Sequence, residues 1–283
     1  MIESRSRTAW LPHLVLALGV AVFVFPIYMA LIGSTHDAGI IGRGNLPLTP
    51  GGLATENYAQ AWSQGSGIRV KAPPVSRMLL NSLVMAVIVA VGKIAVSVLS
   101  AYAVVFFHFP GRMFFFWMIF VTLMLPVEVR IIPTFKVVSD LGLINTYGGL
   151  TVPLIASATA TLLFRQFFMT IPDNLVEAAK IDGAGPLRFF KDILLPLSRT
   201  NLAALFVILF IYGWTQYLWP LLMTNSNSMN TIVIALRKMI SFADTDTQWH
   251  LVMVTCILAI APPVLVVVLM QRWFVKGLVE SEK

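Results

Sequence analysis

The stretch "EAAKIDGAGPLRFFKDILLP" (residues 177–196) packs six charges, two glycines and two prolines between long apolar runs. It reads as two short helices around a bend. Thr170 and Asp173 have capping-box spacing and Pro172 suits a first turn, so a helix is expected from there through "NLVEAAKI". Asp182-Gly183 is a place for a left-handed C-terminal cap. Gly185-Pro186 opens a second helix, "PLRFFKDILL", which is expected to stop before Pro196. Its Leu187, Phe190, Ile193 and Leu194 recur at spacings of three and four, opposite Arg188, Lys191 and Asp192. Glu177 sets a charge beside the small residues Ala178, Ala179, Gly183 and Ala184, where another backbone can come close. A helix pair resting on lipid is the alternative. Lipid favours Lys and Arg along the polar face, whereas acids and bases balance here, as suits a protein surface.

The surrounding chain is that of a membrane protein. Hydrophobic residues make up 58% of the 283 positions and charged residues only 12%, against about 25% in soluble domains. Mean hydropathy is +0.82. Six stretches are apolar enough to cross roughly 30 Å of hydrocarbon as helices: 10–33, 78–107, 113–132, 148–169, 202–223 and 250–271. The expected fold class is therefore all-α, with six transmembrane helices. The first run follows Arg5 and Arg7 and is too long for a signal-peptide core, so it is expected to remain as a span.

Basic residues orient the spans. With the N-terminus inside, internal segments hold Arg5, Arg7, Arg112, Lys180, Arg188, Lys191, Arg199, Arg272, Lys276 and Lys283. External segments hold Arg43, Arg69, Lys71, Arg77, Arg130, Lys136, Arg237 and Lys238. The internal charges sit in shorter segments nearer span ends, which favours both termini inside. Residues 34–76, with "GRGNLPLTPGG", are then an external segment of turns and irregular structure. "HFPGR" (108–112) is a tight internal turn, 224–249 a second external loop, and 170–199 the largest internal one.

Several function classes are excluded. The net charge of +7 has no basic patch interleaved with aromatics, so nucleic acid is not an expected partner, and membrane orientation accounts for the excess. Cys256 has no disulfide partner, and His13, His36, His108 and His250 have no ligand spacing, so no metal site is expected. No nucleophile–base set or cluster of acids and histidines suggests a catalytic residue. No Gly-x-x-x-x-Gly-Lys-Ser/Thr run occurs, so the chain lacks a phosphate-cradling loop.

The 177–196 stretch resembles the EAA motif of binding-protein-dependent ABC importer permeases. Glu177-Ala178-Ala179, Gly183, Ile193 and Leu195-Pro196 match it without departure. "LGLINTYGGLTVP" (141–153), "LLFRQFFMTIPDNLVEAAKIDGA" (162–184) and "FIYGWTQYLWPLL" (210–222) resemble the carbohydrate-uptake branch of that family. The resemblance implies a type I importer permease fold in the bacterial inner membrane. It divides the chain into an N-terminal span with external segment (1–76), a transmembrane core (77–272) and a cytoplasmic tail (273–283). It implies that Glu177, Ala178, Ala179, Asp182, Gly183, Ala184, Ile193, Leu195 and Pro196 couple the chain to an ATPase. The implied partners are a sister permease subunit, two ATP-binding subunits and a periplasmic substrate-binding protein, with membrane lipid around them. The chain itself is expected to be a transport subunit and no enzyme, with ATP and Mg held by the ATPase.

Charges within the spans bear on the cargo. Lys93 stands about fifteen positions from either end of its apolar run, too deep to reach an interface easily. Such residues face a bundle interior or a wet cavity, and contact with backbone carbonyls or a neighbouring helix is the alternative. Arg130 follows Pro126 in "LPVEVRIIP"; it is a suitable donor fork for a phosphate ester, although pairing with Glu128 or a lipid headgroup also accounts for it. Together the two charges suit an anionic phosphate ester, and the resemblance implies that the cargo is sn-glycerol 3-phosphate or a related glycerophosphodiester. A neutral sugar or oligosaccharide stays open should both side chains prove structural. Arg165 and Gln166 are expected to anchor the fourth span, and Trp214, Tyr217 and Trp219 to form an outer aromatic belt, with stacking on a sugar as the alternative.

Overall fold

The computed structural model describes residues 10–65, 73–122, 127–240 and 247–280, the side chains of 127–128 and 274–280 excepted. Pro126 and the side chains of Arg5, Arg7, Arg69, Lys71, Glu128, Lys276 and Lys283 lie outside that description. Every element described is helical. In chain order they are α1 (Leu11–Gly33), α2 (Ala38–Gly42), α3 (Ala54–Ser63), α4 (Val75–Phe106), α5 (Arg112–Val121), α6 (Val127–Asp140), α7 (Tyr147–Leu154), α8 (Ala158–Phe168) and α9 (Asp173–Ile181), then α10 (Pro186–Leu197), α11 (Arg199–Trp214), α12 (Leu218–Met223), α13 (Ile232–Met239) and α14 (Trp249–Glu280).

Among the described residues three helices are long and apolar enough to cross a membrane alone: α1, α4 and α14 from Trp249 to Trp273. The fourth expected span is broken, α7 and α8 meeting at 47°. The fifth contains α11, which meets α10 at 72°. Counting each bent pair as one span gives five. The expected third span, 113–132, is not one helix in the described residues. α5 ends at Val121 after ten residues, about 15 Å of rise, and α6 starts anew at Val127.

Two compact units emerge, Met1–Arg77 with Ala235–Ala261, and Met78–Ile234 with Pro262–Lys283. In the first, α1 is apolar all round and almost wholly exposed, with Phe23 at 81%, as a helix facing lipid or another subunit must be. The segment after it is more ordered than its Gly and Pro content suggests. Asn57 Nδ2 donates to Ser34 O at 2.9 Å and His36 O at 3.0 Å, and Gly51 N–H donates to Thr35 Oγ1 at 2.7 Å. These bonds satisfy backbone groups that no helix ladder reaches.

The second unit is organised around α4. Buried Met85 and Val89 join Ile131, Val138, Leu150, Trp219 and Met223 in one core cluster. Nearer the Phe106 end, Val98, Ala101 and Tyr102 join Phe164, Phe168 and Phe189 in another. Small residues let the helices approach: a Cβ on Gly213 of α11 would lie 2.9 Å from Ala86 Cα, and one on Gly92 would meet Ile155 at 2.7 Å. Within lipid no hydrophobic drive favours one helix over hydrocarbon tails, so such close packing is what holds neighbours together. The turn at 108–112 is tight as expected, with Gly111 at φ +79° and Arg112 N–H donating to Phe109 O.

Candidate functional site: a bent helix pair and a buried lysine

The bend after α9 is a Schellman cap. Gly183, at φ +73°, donates to Lys180 O at 3.0 Å, and Ala184 N–H donates to Ala179 O at 2.9 Å. A Cβ on Gly183 would meet nothing within 4 Å. Within the chain, glycine is needed there for its dihedral rather than for close approach. The capping box expected at the start of α9 does not form. Thr170 Oγ1 donates back to Phe167 O at 2.7 Å, and Pro172, which offers no side-chain acceptor, stands at the cap position itself.

α10 runs on through Pro196 to Leu197, and the chain turns at the fully buried Ser198. Residues 189–194 widen into a π-helical turn. Pro196 has no N–H to give and its ring crowds the carbonyl four residues back, and a widened turn accommodates both. This register moves the apolar face. Phe189 and Leu194 are buried and Phe190 and Ile193 half-buried, whereas Leu187, expected on that face, is 81% exposed. Ile181, across the bend, is 85% exposed.

The EAA positions therefore fall into two groups. Glu177, Ala178, Asp182 and Gly183 are exposed. Ala179 is buried and Ala184, Ile193, Leu195 and Pro196 are half-buried, most of them packed into the Phe106-end cluster. Tyr102 ties the bend to α4: its ring lies 5.0 Å from that of Phe190, and its hydroxyl donates to Pro186 O at 2.8 Å. Phe106 adds rings at 5.3 Å to Phe189 and 5.9 Å to Phe168. A cavity of about 160 Å³ opens between Tyr102, Phe106, Val176, Lys180, Ala184 and Phe189. The Arg188–Asp192 pair, 3.6 Å apart and well exposed, adds little in high dielectric.

Lys93 is 7% exposed, in the middle of α4. Its ammonium lies 3.9 Å over the centre of the Tyr212 ring. Among the described residues it has neither a hydrogen bond nor a carboxylate within ion-pair distance. Arg130 is exposed on α6, next to Ile131, which shares a core cluster with Val89, one turn from Lys93 on α4. The two charged residues singled out from sequence thus share one neighbourhood. The EAA positions are gathered in another, and α4 contributes to both. Along α4, Lys93 and Tyr102 are separated by about 14 Å of rise.

Trp214, Tyr217 and Trp219 do not form the expected outer belt. Trp214 and Trp219 are 4% and 5% exposed, and Trp219 Nε1 donates to Gly149 O at 3.1 Å. Of the three, only Tyr217 faces outward. Arg165 sets its guanidinium 4.3 Å over the Phe116 ring.

The 93–280 segment matches the model of the family described as "Binding-protein-dependent transport system inner membrane component". The chain belongs to this family. It is 64% identical over its whole length, and the whole of the relative's, to the "sn-glycerol-3-phosphate transport system permease protein UgpE" of Rhizobium meliloti (strain 1021). The proteins of that name from Brucella melitensis biotype 1 and Yersinia pestis bv. Antiqua (strain Antiqua) are 63% and 56% identical, again over the full length of both chains. A chain of a bacterial ABC transporter involved in the import of the acidic polysaccharide alginate superposes with a TM-score of 0.80 at 21% identity, over 97% of this chain and 99% of that one. At that identity the likeness bears on the fold alone.

Two features of this multi-pass membrane permease carry little signal in the sequence. One is Tyr212, whose only signal in "FVILFIYGW" is a lone hydroxyl in an apolar run. The other is a polar knot on the opposite half of α4. Asn81 Nδ2 donates to Ser228 O at 2.9 Å and Asn230 O at 3.0 Å, and Asn81 Oδ1 accepts from Tyr147 at 2.6 Å. Ser82 Oγ accepts from Ile232 N–H at 2.8 Å. Asn145, at φ +58°, accepts from the N–H groups of Asn225 and Ser226. The adjacent polar pair Asn81-Ser82 inside an apolar run was the available signal.

Proposed function

We propose that this chain is a membrane-spanning permease subunit of an ATP-driven importer for sn-glycerol 3-phosphate. The substrate rests on the full-length identity to permeases of that transport system. Coupling rests on the bend at 182–184, an exposed acid and small residues held on a packed base. The exposed group (Glu177, Ala178, Asp182, Gly183) makes the contact with an ATP-binding subunit. The inward group (Ala179, Ala184, Ile193, Leu195, Pro196) transmits its displacement to α4 and α8. ATP and Mg belong to a pair of such subunits, a sister permease completes the passage, and a periplasmic binding protein delivers the cargo. Lys93 and Arg130 supply fixed positive charge along the route, which offsets the cost of stripping water from a phosphate ester.

Glu177→Lys tests the coupling. Reversing a charge at a desolvated contact costs several kcal/mol, so purified complexes should lose ATPase subunits or hydrolyse ATP without uptake, at normal abundance of the permease. Wild-type uptake in that variant would falsify the contact. Orientation is tested separately. A cysteine placed at Asn227 should label from outside intact cells and one at Gly185 should not; the reverse pattern removes the hinge from the ATPase side.

A further inference from the structure

A lysine buried within a membrane span ordinarily finds an acid. Among the described residues Lys93 has the face of Tyr212 instead, at 3.9 Å from the ring centre. The two kinds of partner differ in what they leave behind. A carboxylate neutralises the ammonium and cancels the field that an approaching anion would feel. An aromatic face stabilises the cation through its quadrupole but leaves the full positive charge in place. It also occupies one side of a group with three donors, and the others stay free.

The placement of Tyr212 depends on its neighbour. Gly213 lets α11 press against α4 at Ala86, where any Cβ would lie 2.9 Å from the Ala86 Cα. Ala86 stands two turns before Lys93 on the same face of α4. Tyr212 is also packed against the cluster that holds Val89 and Ile131, one turn from Lys93 and one residue from Arg130. The ring is thus held over α4 beside Lys93, at the edge of a cluster that α6 also joins.

We propose that Tyr212 is a positioning residue for anion transport: its ring holds the Lys93 ammonium charged and unneutralised in the span, ready to meet a phosphate ester. The inference rests on Lys93 belonging to the substrate route. Both are tested together in the purified complete transporter, reconstituted in proteoliposomes with its binding protein and sn-glycerol 3-phosphate as the probe. Tyr212→Leu should raise the half-saturating concentration for uptake about tenfold, the loss expected for one desolvated cation–π contact. Tyr212→Phe keeps the ring face and should transport like wild type. In a Lys93→Met background, adding Tyr212→Leu should change nothing more. Wild-type uptake by Tyr212→Leu, while Lys93→Met is impaired, overturns the role of the ring and leaves the lysine in place. Wild-type uptake by Lys93→Met overturns the route itself. Equal impairment of Tyr212→Phe and Tyr212→Leu also overturns the proposal, because the hydroxyl would then be what matters.

Discussion

Towards its Phe106 end, α4 meets the bent helix pair through Tyr102 and Phe106, several ring contacts and a single bond from the Tyr102 hydroxyl to Pro186 O. Towards its Val75 end, Asn81 and Ser82 hold residues 228–232 and Tyr147 through four hydrogen bonds. Apolar burial is non-directional and tolerates small shifts of one surface over another. Hydrogen bonds to buried carbonyls fix one register, since a displaced donor leaves its acceptor unpaired at full cost. One helix thus presents a yielding contact to the segment proposed to receive the ATPase motion and a rigid one to the segment at its other end. Between the two, Lys93 and Tyr212 depend on how closely α11 lies against α4.

The middle of α4 gives the largest expected effect. Gly213→Leu places a side chain where backbone, rather than a flexible side chain, stands 2.9 Å away. Overpacking costs typically about 1–3 kcal/mol, and backbone cannot swing aside as a rotamer can. Detergent-solubilised complex should lose thermal stability, and residual transporter should show impaired uptake because Tyr212 is carried off Lys93. Normal stability with normal uptake would mean that α11 and α4 can separate without cost, and that their close approach does not set the place of Tyr212.

How far these features could be read from sequence follows from the physics of each. Gly183 and the spacing around it announced the bend, because few residues accept a positive φ and the motif is long. The division of that motif into exposed and inward halves was not legible. It depends on the π-turn at 189–194, which shifts Leu187 outward and which no periodicity of three or four anticipates. The spans formed by α1, α4 and α14 were legible from hydropathy, whereas the continuity of the others was not. The break between α7 and α8 occurs at Ser157, and the expected fifth span is interrupted between α11 and α12 at Thr215; hydropathy averages over a single hydroxyl residue. Trp214 and Trp219 looked interfacial because aromatic residues near a span end suit either a belt or a core. The choice was decided by partners far along the chain, such as Gly149 O for Trp219. Lys93 was conspicuous as a charge, but its partner was a ring with no charge to reveal it.

The two ends of α4 separate most sharply when each loses its polar group. Asn81→Ala removes three bonds, at roughly 1 kcal/mol for each bond lost, so stability should fall by about 2–3 kcal/mol. Tyr102→Phe keeps the ring and removes one bond, at about 1 kcal/mol. A stability measurement alone would therefore rank Asn81 first. Coupling should rank them the other way. With the Pro186 carbonyl released, the bend can slide on the rings of Tyr102 and Phe106, and part of each ATP-driven displacement is lost before it reaches α4. Tyr102→Phe should accordingly raise the ATP hydrolysed per substrate imported by a few-fold, while Asn81→Ala lowers the amount of intact complex and leaves that ratio unchanged. If the ratio moves in Asn81→Ala and not in Tyr102→Phe, the rigid contact is the one that carries motion, and the aromatic end only fills space.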